Sequence, residues 1–136
     1  MKSVKHIIFS IFVLCLLNGC VDPSALTIIK IVNKSSYDLH ISFYPYPDDE
    51  WGYNDIDLIK NQSVSFELHR PMSYEYRSPN YEIEKILFSN LNNNEKIKEY
   101  INNNYNLFKL TGSEEGRNRG GKTGYFLLEI DDDLLK

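Results

Sequence analysis

The residues with the most obvious capacity for chemistry stand late in the chain, at Gly116-Arg117-Asn118-Arg119-Gly120-Gly121-Lys122-Thr123. Their spacing fills the pattern G-x-x-x-x-G-K-[ST], in which backbone amides cradle phosphate oxygens, the lysine neutralises them and the hydroxyl binds magnesium. That chemistry needs a helix to begin at once, because its N-terminal amides and dipole meet the phosphates. Here the next residues are Gly124-Tyr125-Phe126-Leu127-Leu128-Glu129-Ile130, aromatic and apolar, and they read as a strand. Only thirteen residues follow Thr123, too few for a crossover helix and a parallel strand. The segment is therefore expected to be a flexible, solvated basic hairpin tip, with no nucleotide as partner or cofactor.

Other reactive arrangements are sparse. His40 and His69 are the histidines beyond the first few residues, and neither stands in an H-E-x-x-H pattern. No G-x-S-x-G elbow is present, and the spacings exclude the usual zinc sites. Carboxylates gather at Asp48, Asp49, Glu50, Asp55 and Asp57, and again at Asp131, Asp132 and Asp133. They lack the fixed order of ligands and glycine that a calcium loop requires, so an acidic, solvated surface is expected. A Ser-His-Asp arrangement assembles in space and cannot be read from spacing. No catalytic residue, metal or other cofactor is expected, and the chain is read as a non-enzyme.

Aromatic side chains offer the one remaining candidate surface. Tyr44, Tyr46, Trp51 and Tyr53 lie in or beside one long loop, and Tyr74, Tyr76 and Tyr81 in or beside another. Tyrosine and tryptophan provide rigid contact area with a polar handle, which suits recognition of a protein or a glycan. Tyr46, Trp51, Tyr53, Tyr74 and Tyr76 are thus the expected binding residues. The competing expectation is that these rings fold back and cap the core.

Strands must position these loops. Leu26–Val32 is rich in β-branched residues. Asp38–Tyr44 alternates, with Leu39, Ile41 and Phe43 on one face and His40, Ser42 and Tyr44 on the other. Ile56–Ile59, Ser63–Leu68, Ile83–Ser89, Leu107–Thr111 and Tyr125–Ile130 have strand composition. Glu95–Ile101 fits either a helix face or a strand face, and the asparagine triplets on both sides favour strand, because asparagine suits turns. Seven or eight short strands without a long helix predict an all-β fold, a single antiparallel β-sandwich over residues 26–136.

The beginning of the chain is of another kind. Lys2 and Lys5 precede an apolar run from Ile7 to Leu17, eleven residues long. A bilayer span needs about twenty such residues, so this run fits a cleaved export signal and not a permanent transmembrane helix. Leu17-Asn18-Gly19-Cys20 follows, and it resembles the lipobox of bacterial lipoproteins. The resemblance implies that residues 1–19 are a signal peptide, that Cys20 is acylated on its sulfur and, once cleavage makes it the first residue, on its amine, and that residues 20–25 form a lipidated tether. Several acyl chains, at roughly 0.8 kcal/mol per buried methylene, would hold the protein without help from the domain.

Loss of Lys2 and Lys5 takes the net charge from −4 to −6, which disfavours nucleic acid as a partner. Cys15 would leave with the signal, so no internal disulfide is possible, and ten tyrosines and seven phenylalanines supply core material instead. Ile31-Val32-Asn33-Lys34-Ser35-Ser36-Tyr37-Asp38-Leu39-His40-Ile41 resembles the first hairpin of small immunoglobulin-like lipoproteins of Gram-negative bacteria, and Leu58-Ile59-Lys60-Asn61-Gln62-Ser63-Val64 looks like their polar turn. That resemblance implies fold and location in the cell envelope, at the outer membrane on its periplasmic or surface face. The expected function is a binding or accessory module held to the membrane through the lipid on Cys20. A small inhibitor that inserts Asp48–Asn54 into a hydrolase is the alternative, and an enzyme the third choice.

Overall fold

Alternation of apolar and polar residues builds this fold. In the strand Leu39–Pro45, the side chains of Leu39, Ile41 and Phe43 are buried while His40 and Tyr44 face outward. The computed structural model describes residues 23–47, 52, 54–101, 106–118 and 120–136. They form β1 (Ser24–Asn33), β2 (Leu39–Pro45), β3 (Asp55–Leu58), β4 (Ser63–Pro71), β5 (Ile83–Asn90), β6 (Lys96–Ile101), β7 (Lys109–Asn118) and β8 (Gly121–Ile130), with a 3-10 turn at Pro79–Tyr81.

The strands make two four-stranded sheets, ordered β4-β1-β8-β7 and β3-β2-β5-β6. Ile29, Ile31, Phe66, Leu68, Phe126 and Leu128 face inward from the first sheet. Leu39, Ile41, Phe43, Ile86 and Phe88 face them from the second. Burial of this apolar layer between two sheets is the main stabilising interaction of a sandwich. One pairing departs from the expected antiparallel pattern: β1 and β8 run parallel, from Leu26 opposite Thr123 to Asn33 opposite Ile130. Both strands start at the same end of the domain, so they can pair only in this sense.

Residues 96–101 are a strand. Tyr100 on β6 meets Phe88 of β5 edge-on, with ring centroids 6.1 Å apart. The triplet before it turns the chain as expected, with Asn94 at φ 57° and the Asn93 side chain accepting the Glu95 amide. The β7–β8 hairpin is longer than composition indicates. Gly116 and Gly120 adopt φ of 72° and 83°, and register shifts between Leu110 and Asn118 accommodate them. The expected hairpin tip thus falls between β7 and β8, which pair up to Asn118 opposite Gly121 with a break in register after Glu114.

Each end of the sandwich has its own clamp. At the proximal end, where Ser24 opens β1 opposite Pro71, Arg70 of β4 forms an ion pair with Glu82, just before β5. Thr27 there donates to the Arg77 carbonyl at 3.2 Å. At the distal end, the Asn33 amide donates to the carbonyls of Leu58 and Tyr37, at 2.9 and 2.8 Å. Its side-chain oxygen accepts from the amide and hydroxyl of Ser35. Asn33 is fully buried and bonded at both ends of its amide, so its burial costs little.

Candidate functional site

The registers bring Tyr46 and the connection between β4 and β5 to the proximal end. β2 ends at Pro45 opposite Ile83, and the Tyr46 amide donates to the Glu82 carbonyl at 3.0 Å. Tyr46 itself is half-buried. Tyr74 is exposed, and its carbonyl accepts the Lys122 amide at 2.8 Å. Tyr76 turns inward and packs edge-on against Phe126, at 5.8 Å between centroids. A Cβ on Gly124 would stand 2.4 Å from the Tyr76 ring, so that glycine is what lets the ring lie flat on β8. Tyr76 thus caps the core, whereas Tyr74 is available to a partner. Trp51 and Tyr53 lie outside the described residues, as does Cys20.

Two further exposed residues belong to this end. Tyr81 lies in the 3-10 turn, and Met72 follows β4 with φ 60°. Sequence reading placed Tyr81 beside the loop and missed Met72, which stands alone among polar neighbours and carries no periodic signal.

The glycine-rich segment has a structural explanation residue by residue. Gly121 lies against β1, where a Cβ would approach the Ser24 carbonyl oxygen to 2.2 Å. Lys122 pairs with Glu75 at 2.7 Å and lies 3.9 Å from Glu115. The hydrogen bond to Glu75, reinforced by that carboxylate's charge, raises the lysine pKa. Thr123 is fully buried. Gly116 and Gly120 are exposed at the β7–β8 hairpin, as expected of a solvated tip, while Gly121 and Thr123 pack into the fold. A phosphate would find strand backbone in place of a helix N-terminus, and a threonine hydroxyl out of reach.

On the outer face of β2 and β3, His40 stands between two carboxylates. Its Nδ1 is 2.6 Å from Asp57, and its Nε2 is 3.6 Å from Asp55. Ser42 donates to Asp55 at 2.7 Å. A hydroxyl becomes a nucleophile when a base accepts its proton, but here the serine addresses Asp55, and the imidazole addresses Asp57 and that same Asp55. Among the described residues, no group of three or more His, Cys, Asp or Glu side chains could hold a metal ion.

The outer face of the other sheet carries a shallow groove of about 600 Å³. Ile28, Val32, Tyr125 and Leu127 supply apolar lining, with Lys30 and Glu129 among its polar residues.

Two four-stranded sheets closed over one apolar core make this chain a β-sandwich protein. Comparison with protein-family models, with curated proteins and with solved structures finds no match.

Proposed function

We propose that the protein is an exported lipoprotein of the cell envelope, anchored at the outer membrane through acyl chains on Cys20, and that its sandwich is a non-catalytic binding or accessory module. The observation that carries this reading is Leu17-Asn18-Gly19-Cys20 directly after an apolar run of export-signal length. The start of the fold is compatible with it. β1 begins at Ser24, so cleavage before Cys20 removes no part of the sandwich. Among the described residues no helix is long and apolar enough to cross a membrane, and under this reading the lipid supplies the attachment. A non-catalytic role is supported by the pairing at His40, which directs the imidazole and the nearby hydroxyl at carboxylates. Recognition of a protein or a glycan then falls to the proximal aromatic loops.

Replacement of Cys20 by Ala tests the anchor. The variant is expected to lose labelling by a fatty-acid analogue and to leave the membrane fraction. Undiminished labelling overturns the proposal.

A further inference from the structure

We propose that the proximal end of the sandwich rests against lipid headgroups, with Met72, Tyr74 and Tyr81 as the side chains that meet the bilayer. This rests on acylation of Cys20, which provides the holding force. The added element is a fixed posture of the domain on the membrane.

Three observations converge. The first is exposure: Met72 at 76%, Tyr81 at 68% and Tyr74 at 65% are the most exposed large apolar side chains among the described residues. By contrast, Tyr37 and Ile59, at the distal end, are 41% and 48% exposed.

The second is position. All three residues lie in the connection between β4 and β5. Met72 directly follows Pro71, which is paired with Ser24. The carbonyl of Tyr74 bonds the amide of Lys122, whose neighbour Gly121 abuts Ser24. Tyr81 precedes Glu82, which Arg70 of β4 holds. The patch therefore surrounds the point where the chain leaves the fold toward Cys20.

The third is reach. Ser24 lies four steps along the chain from Cys20, which at about 3.5 Å per step allows about 14 Å when fully stretched. The headgroup layer beside each face of the hydrocarbon core is itself about 5–8 Å thick. An anchored domain on so short a leash stays within about 6–9 Å of the headgroup layer, and the surface around Ser24 is the one held nearest to it.

The chemistry of the patch suits that location. Tyrosine places its ring among apolar groups and its hydroxyl among headgroups, and methionine adapts to irregular apolar surroundings. Electrostatic attraction to anionic lipid is not the source. Lys122 is matched by Glu75 and Glu115, and the mature chain is acidic. The expected surface is the interfacial zone of a neutral bilayer.

Once Cys15 is lost and Cys20 acylated, the chain has no free thiol. Met72→Cys and Tyr81→Cys therefore each accept one polarity-sensitive fluorophore, and Lys60→Cys, in the exposed distal turn, serves as control. The lipidated variants are reconstituted into phosphatidylcholine vesicles with and without doxyl-labelled lipid, and flotation reports anchoring. We expect blue-shifted emission and several-fold greater quenching at positions 72 and 81 than at 60. Protein that floats with the vesicles but is quenched equally at all three positions overturns the posture and leaves the anchor standing, the result expected if the patch serves a protein partner. Protein that fails to float overturns the anchor and the posture with it.

Discussion

The guanidinium of Arg70, near the end of β4, meets the carboxylate of Glu82, a side chain only 2% exposed. The pair joins the two sheets at the end that carries Tyr46 and Tyr74. A charge at that depth is tolerable only with its partner present. Arg70→Met is expected to cost about 3–5 kcal/mol in urea unfolding, because it leaves a buried carboxylate uncompensated. The double variant Arg70→Met/Glu82→Leu is expected to recover most of that loss. A double variant as unstable as the single one would show that packing, and not charge, sets the cost.

Asn33 closes the opposite end through four hydrogen bonds. Asn33→Ala removes all of them and strands the Leu58 carbonyl beside the core. The expected loss is about 3 kcal/mol, of the order of one or two unsatisfied buried groups. Denaturant midpoints measure it, and a loss below about 1 kcal/mol would mean that the turn at 34–38 rearranges to supply new partners.

Gly124 and Tyr76 are expected to be coupled. Gly124→Ala drives a methyl group into the Tyr76 ring and should cost about 1–3 kcal/mol, the usual range for overpacking. In a Tyr76→Ala background the same change meets open space. A double-mutant cycle should therefore show strong non-additivity. Additive losses would place the strain elsewhere on β8.

Two partly exposed groups give the pH dependence a sign. The hydrogen bond from Lys96, aided by the charges of Lys96 and Lys85, outweighs desolvation and holds Glu99 below its ordinary pKa. A lowered carboxyl pKa contributes stability above the unfolded value, near 4.5, that is lost as pH falls through the folded one. Lys122 is the reverse case: its pKa is raised by Glu75, so its contribution is present below about 10.5 and lost as pH climbs past the folded value. Both effects are small and weaken with salt, since the groups face solvent. NMR titration of the Glu99 carboxyl carbon should return it to the ordinary range in Lys96→Ala.

Lys122→Ala should leave stability nearly unchanged, because its ion pair with Glu75 lies at the surface. Gly121→Ala, one residue earlier, should be far more damaging, because its Cβ would strike the backbone of Ser24. Thermal unfolding of the two variants separates a glycine kept for packing from a lysine kept for chemistry. Comparable losses would contradict this reading of the segment.

Strands buried on one face announced themselves in the sequence, as the alternation of Leu39, Ile41 and Phe43 illustrates. β7 did not. It is an edge strand whose Ser113, Glu114 and Glu115 are exposed, so no alternating pattern develops, and its glycines look like loop residues. Nothing in the sequence marked Asn33 as buried, because the Leu58 carbonyl that accepts from its amide arrives from the other sheet. Glu82 gave no hint of burial, since its partner Arg70 belongs to a different strand. The loop aromatics were legible as a group. Which of them turns inward was not, because the space under Tyr76 is made by a glycine forty-eight residues away.

The position of β1 also has a mechanical consequence. A pull on the chain upstream of Ser24 is delivered along the axis of a strand flanked on one side by β4 and on the other by β8, with pairing along nearly all of its length. The force then loads two ladders of hydrogen bonds together, in shear. An edge strand pulled across its ladder would instead yield one bond at a time, like an opening zip. If the N-terminal segment is anchored as proposed, the pull of its anchor falls on a strand that resists peeling.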